Sequence, residues 1–248
     1  SCADVIKELG FASPTPIQSQ AIPAIMSGHD MVGIAKTGSG KTIAFLLPMF
    51  RHVKDQRSLR PGEGPIALIL TPTRELALQI YRDAKPFLQA IGLRGTCVHG
   101  GPPISEHIAE MKRSPEVVIA TPGRMIDLLS ANSGRVTNVS RVTYLVLDEA
   151  DRMLDLGFSE DLEAISDLAA NREQTLMFSA TFAPRIITLA ERMMNEPERI
   201  AIETGHSTNT DITQTLHWTD GFEHKKKLLT HWLNEEDVDQ AVVFASTQ

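Results

Sequence analysis

Cysteine is nearly absent, with Cys2 and Cys97 the two in a chain of 248 residues. They are too few and too far apart for a disulfide framework or a zinc site, and read as free thiols in a reducing compartment. Long apolar runs are missing as well. Nothing approaches the roughly 20 apolar residues that cross a bilayer, and the N-terminal SCADVIKELG lacks the basic, apolar, cleavable layout of a leader. No membrane partner is expected, and the chain reads as soluble and intracellular, with nothing to separate cytoplasm from nucleus. Nor is positive charge in excess, because 24 Lys and Arg against 31 Asp and Glu leave a net charge of -7. That excludes the broad basic footprint of a protein gripping duplex DNA through many phosphates, so a nucleic acid must be held locally. Internal repeats and low-complexity blocks are also lacking, and the eight His show no metal spacing.

What is present is an ordinary globular composition, 42% apolar and 22% charged, enough for one core or for one complete domain and part of another. Apolar runs recur in order: MVGIA from 31, IALIL from 66, GTCVH from 95, VVIA from 117, YLVLD from 144 and TLMFS from 175. Unbroken apolar strands alternating with helices predict an α/β fold, a parallel sheet with helices on both faces. Leu76, Ile80, Ala84, Phe87, Leu88 and Ile91 recur at spacings of three and four, the stripe of a helix lying on that sheet. Residues 204–213, TGHSTNTDIT, read as a linker. Beyond it Gln214 to Trp218 predicts a strand, Phe222 to Leu233 a helix and Ala241 to Ala245 a strand, too little to close a core alone. Trp218 and Trp232 read as packing residues, His224 to Lys227 as a solvated helix face, and Asn132 to Asn138 as a surface loop.

Residues 35–42, AKTGSGKT, follow a strand and precede the helical TIAFLLPMF, the setting of a phosphate-binding loop. Gly38 and Gly40 let successive amides point inward, Lys41 brings a cation to the outer phosphates, and Thr42 offers a hydroxyl to Mg2+. The first position is Ala35 where glycine is usual, a mild departure. The candidate nucleotide contacts here are Thr37, Gly38, Ser39, Gly40, Lys41 and Thr42. The strand VTYLVLDEAD ends in Asp148, Glu149 and Asp151, carboxylates that repel one another unless they sit in water, at the start of a helix such as ADRMLDLGF would form, or beside a cation. Beside a phosphate loop, Asp148 completes a magnesium shell and Glu149 orients and deprotonates water for in-line attack. Six strands end in AKTGSGKT, TPTRELA, HGG, ATPGR, DEAD and SAT, and a parallel sheet would line all six along its carboxyl edge, where ligands bind.

Taken in this order, these residues resemble the DEAD-box family of ATP-dependent RNA helicases, over residues 10 to about 203. The resemblance implies a RecA-like P-loop NTPase domain at 1–203, the linker, and the truncated beginning of a second RecA-like domain at 214–248. It implies ATP and Mg2+, with Lys41, Asp148 and Glu149 catalytic and Thr42 and Asp148 at the metal. GFASPTPIQ at 10–18 resembles the family's adenine-reading element, with Phe11 against the base and Gln18 pairing with its edge through two hydrogen bonds. Pro72, Thr73, Arg74 and Glu75, Gly100 and Gly101, and Thr121, Pro122, Gly123 and Arg124 correspond to elements that hold the sugar-phosphate backbone of one RNA strand without reading bases. Ser179 and Thr181 match the motif that couples nucleotide state to RNA through hydrogen bonds with Asp151. Without the resemblance, Gln18 reads as an exposed helix residue, and Thr73, Thr121, Ser179 and Thr181 as helix caps.

The resemblance further implies a monomer whose second domain supplies arginines to the outer phosphate, so this stretch alone is expected to hydrolyse ATP slowly and not to unwind RNA. The segment from GFASPTPIQ through SANSGRVTN is similar to pre-mRNA splicing members, and that from TGHSTNTDITQTLHW onward to bacterial members of ribosome assembly or RNA turnover. An ATP-gated RNA clamp would carry the same motifs. A DNA-directed P-loop helicase fits DEAD with GFASPTPIQ less well, and a metal hydrolase unrelated to nucleotides would need a ligand set that is not there.

Overall fold

A computed structural model describes residues 1–202, 213, 215–235 and 238–244, in two compact units, Ser1–Thr204 and Gly205–Gln248. The first unit is built on seven parallel strands: β1 Met31–Ile34, β2 Ala67–Leu70, β3 Gly95–Val98, β4 Val117–Ala120, β5 Tyr144–Leu147, β6 Gln174–Ser179 and β7 Glu198–Ala201. Their order is β3-β4-β2-β5-β6-β1-β7. The six apolar runs became six strands, and β2, β4, β5 and β6 are buried at every position, as strands covered on both faces must be.

Two apolar layers follow from the strand pleat. Residues Ala67, Ile69, Tyr144, Val146, Leu176 and Phe178 face one way, against α2 (Pro16–Met26), α3 (Lys41–Asp55) and α4 (Arg74–Ile91). Their neighbours Leu68, Leu70, Leu145, Leu147 and Met177 face the other, against α5 (Ile104–Met111), α6 (Pro122–Gly134), α7 (Ala150–Asp155), α8 (Ser159–Leu168) and α9 (Pro184–Met193). The α4 stripe packs as its spacing required: Ile80, Ala84, Phe87 and Leu88 are buried, with Leu76 and Ile91 at the margin. A short helix α1, Cys2–Glu8, precedes α2. The kink in α6 at Ala131 to Ser133 turns Asn132 to Arg135 outward, so the expected loop is a surface feature as far as Arg135, while Thr137 is buried.

The second unit departs from expectation. Its helix α10, Phe222–Leu233, forms where predicted, with His224 to Lys227 exposed. The two strands do not form: residues 215–218 and 241–244 have no ladder partner among the described residues, and a strand is defined by its partner. Gln214, Ala245 and the linker 204–213, Thr213 apart, lie outside the described residues. Trp218 is 88% exposed rather than packed, and Trp232 meets the rings of His217 and His231 at a tilt. Among the described residues no helix is long and apolar enough to cross a membrane.

Candidate nucleotide and nucleic-acid site

The strand order brings the six signatures to one sheet edge and sorts them. HGG, ATPGR and TPTRELA follow the neighbours β3, β4 and β2; DEAD, SAT and AKTGSGKT follow the neighbours β5, β6 and β1.

At β1 the chain turns through Gly38 (φ 82°) and Gly40 (φ 89°) into α3. These left-handed conformations favour glycine. A Cβ on Gly40 would also stand 2.7 Å from Gln18 Nε2 and 2.9 Å from Thr15 Oγ1. With a glycine N-cap and no capping side chain, the first amides of α3 are left for an anion. Lys41, in the first turn, lies 2.9 Å from Asp148 Oδ1, both side chains buried. Burial pushes the Asp148 carboxyl above its ordinary value, against the pull of Lys41. Asp148 Oδ1 also accepts from the Glu149 amide at 3.0 Å, whereas buried Oδ2 has no partner. Ser39 Oγ in the loop is likewise buried and unpartnered.

Glu149 starts α7 with a left-handed backbone, φ 52° and ψ 50°. A residue other than glycine in that region stores strain, which collects at functional sites. Its carboxylate is tethered on both sides, Oε1 accepting from Thr37 Oγ1 at 3.2 Å and Oε2 lying 3.6 Å from Arg152 Nη1. The Thr37 bond joins the phosphate loop to the DEAD segment. In the sequence Thr37 stands out only as a member of AKTGSGKT.

Phe11 and Gln18 share a cavity of about 300 Å³ with Ile6, Pro14, Ile22, Ile43 and Leu47. Gln18 is not the exposed helix residue its type suggests. It is buried, its Oε1 accepting from the Thr15 amide at 2.9 Å and its Nε2 donating to the Gly40 carbonyl at 3.0 Å. One N–H and one lone pair of the amide remain. Thr15, whose amide fixes Gln18, was missed; its sign in the sequence is the capping box TPIQ at the start of α2.

On the other half of the edge, Thr73 is the N-cap of α4, its Oγ1 accepting from the Leu76 amide at 3.3 Å, with Pro72 buried before it and Arg74 and Glu75 exposed after it. Gly100 and Gly101 are exposed, and a Cβ on Gly101 (φ 111°) would come 2.7 Å from Arg74 Nη1. Thr121 is the N-cap of α6 without a side-chain cap, followed by Pro122 and Gly123. Arg124 turns inward to the Pro102 carbonyl and His107.

One expected link is not made. Asp151 has no hydrogen bond with Ser179 or Thr181, because Ser179 Oγ is buried and accepts from the Thr181 amide at 3.3 Å while Thr181 is exposed. Nor does either residue cap α9, whose N-cap is Ala183.

Among the described residues no cluster of three or more His, Cys, Asp or Glu could hold a metal by itself. The donors present are of the magnesium type: a hydroxyl at Thr42 and the unpartnered Asp148 Oδ2, few enough that phosphate oxygens and water would complete the shell.

A sequence model described as DEAD/DEAH box helicase matches residues 15–189. The chain is 54% identical to the pre-mRNA-processing ATP-dependent RNA helicase PRP5 of Mycosarcoma maydis, over 100% of this chain and 22% of that protein. It is 53% identical to the probable ATP-dependent RNA helicase DDX46 of Homo sapiens, over 98% of this chain and 24% of that one. The crystal structure of the yeast DEAD-box splicing factor Prp28 superposes with a TM-score of 0.76 at 34% identity, over 94% of this chain and 55% of that one. The chain thus spans under a quarter of the length of these curated relatives. The match to PRP5 runs through the tail, the segment likened above to bacterial members.

Proposed function

The chain belongs to the DEAD/DEAH box helicase family, and from that premise we propose that it is the nucleotide-binding part of an ATP-dependent RNA helicase acting on pre-mRNA in the nucleus. The observation that carries this reading is the Lys41–Asp148 pair at a left-handed glycine loop, with Asp148 Oδ2 buried and unpartnered. The fold and the names of the relatives support it, and they favour a helicase over a clamp that never separates strands.

In this reading the adenine lies in the Phe11 cavity, and the remaining N–H and lone pair of Gln18 pair with its edge, so that every hydrogen-bonding position of the amide is used. The first amides of α3 and Lys41 hold the phosphates. Thr42 and Asp148 would hold Mg2+, which when bound supplies positive charge at the phosphate oxygens. Glu149, kept at the loop by Thr37, takes the proton of the attacking water. RNA runs past Pro72 to Glu75, Gly100 with Gly101, and Thr121 to Arg124, held through its backbone. Asp151, Ser179 and Thr181 connect the two halves only after a rearrangement that brings them together. Residues 214–248 begin a second RecA-like domain, which closes on the first and donates arginines; the working chain is a monomer.

Measured ATP affinity and turnover test the assignment. Lys41→Ala should abolish nucleotide binding, whereas Glu149→Gln should keep it and lower turnover by roughly 10²- to 10⁴-fold. Equal loss of binding in both variants would overturn the roles.

A further inference from the structure

The arginine of TPGR leans on a histidine that no motif contains. Arg124 Nη1 donates to the Pro102 carbonyl at 2.9 Å and meets His107 Nδ1 at 2.8 Å, while its Nε lies 3.4 Å from Asp127 Oδ2. Nη2 has no partner among the described residues and is not enclosed. A guanidinium only donates, so His107 Nδ1 must accept. The ring is therefore neutral and carries its proton on Nε2. Protonation would remove the acceptor and set two cations against each other.

His107 projects from the middle of α5 and is 5% exposed. Its ring stands edge-on to that of His99, with centroids 5.6 Å apart. His99 Nδ1 in turn lies 2.8 Å from the Gly100 carbonyl, to which it can only donate. Through these contacts α5 ties the loop after β3 to the first turn of α6. Both are segments assigned above to the RNA backbone.

We propose that His107, as a neutral imidazole, is a positioning residue for RNA: it fixes Arg124 against the Pro102 loop so that Nη2 is presented to a phosphate, and it releases Arg124 when protonated. The proposal rests on the reading of TPGR as an RNA contact. The surroundings keep the ring neutral at ordinary pH. Burial first, then Arg124 on α6 and His99 after β3, hold His107 below its usual value, against the opposing pull of Glu106 and Glu110 on its own helix. Asp127 is engaged with Arg124. Acidification is thus the direction that breaks the contact.

The test is binding of the whole chain to a fluorescent single-stranded RNA at about pH 7.5 and at a lower pH, below the titration midpoint that nitrogen-15 spectra give for His107. His107→Gln keeps an acceptor that does not titrate, and His107→Leu removes it. At the higher pH, wild type and His107→Gln should bind alike and His107→Leu roughly threefold or more weakly. At the lower pH, wild type should fall toward His107→Leu while His107→Gln holds its affinity relative to both. Nitrogen-15 spectra should show the Nε2–H tautomer of His107 at neutral pH, with Arg124→Gln raising its titration midpoint. Should His107→Leu fail to fold, the tautomer and the pH profile of His107→Gln still decide. Arg124→Gln weakening RNA binding while neither His107 variant alters affinity or its pH dependence would overturn this proposal alone. Arg124→Gln leaving RNA affinity unchanged would overturn the reading of TPGR, and this proposal with it.

Discussion

Lys41 and Asp148 form a pair that burial makes expensive to break from either side. The folded Asp148 carboxyl stands above its ordinary value because it is desolvated. Its contribution to stability is therefore fully present below the unfolded carboxylate value and is lost as pH rises through the raised folded one. Lys41 opposes that loss, so Lys41→Ala should lower stability by about 3 kcal/mol at neutral pH, and the gap to wild type should narrow as pH falls toward about 4. Denaturant titrations across pH measure it; a gap independent of pH would refute the cause. The types and spacing of Lys41, Asp148 and Glu149 were legible in the sequence, and the fold brings Lys41 and Asp148 together. The unpartnered Oδ2 of Asp148 and the left-handed backbone of Glu149 were not legible, since the first depends on which groups the fold brings beside the end of β5 and the second on the tight passage from β5 into α7.

Among the elements, helices α4 and α6 begin with threonines that play different parts. Thr73 caps α4 with its hydroxyl, and Thr121 makes no such bond. Thr73→Ala should therefore cost about 1 kcal/mol of stability, and Thr121→Ala should lose nothing through capping, so an effect of the latter on RNA affinity would not be a fold effect. Thermal melts of both variants, read beside RNA titrations, separate the two roles. Of the six strands read from the chain, β2, β4, β5 and β6 are buried at every position, and β1 and β3 keep enough buried residues to stand out between their turns. The seventh, β7, escaped notice: it is an edge strand with Ile200 its one buried residue. The tail misled in the opposite sense, since VVF reads as a strand while the ladder that would make it one is not found among the described residues. Ser179 shows a third limit. Its position is legible, but which group its hydroxyl meets depends on the local turn to Thr181.

For the whole molecule, a net charge of -7 means that, in the proposed reading, RNA would be held by a local set of donors at one half of a sheet edge. Affinity for single-stranded RNA should then be nearly independent of sequence and fall with log salt at a slope of only about -2 to -4, the mark of a few neutralised phosphates. Titrations of uridine and adenosine homopolymers at several salt concentrations give both quantities. A much steeper slope would mean a footprint wider than these three loops. The placement of the loops was foreseeable from chain direction alone, because all strands of a parallel sheet end on the same side. Their sorting into two groups was not, because sequence order does not reveal which strands lie side by side.

That sorting has a thermodynamic corollary. The turns after β3 and β1 are separated by five inter-strand spacings, about 24 Å. Changes to the stability of the fold made at Gly101 and at Gly40 should therefore sum, within about 0.5 kcal/mol. Asp148 and Thr71 extend the adjacent strands β5 and β2, where the Asp148 amide bonds the Leu70 carbonyl at 2.9 Å, and a double-mutant cycle across that seam should not close.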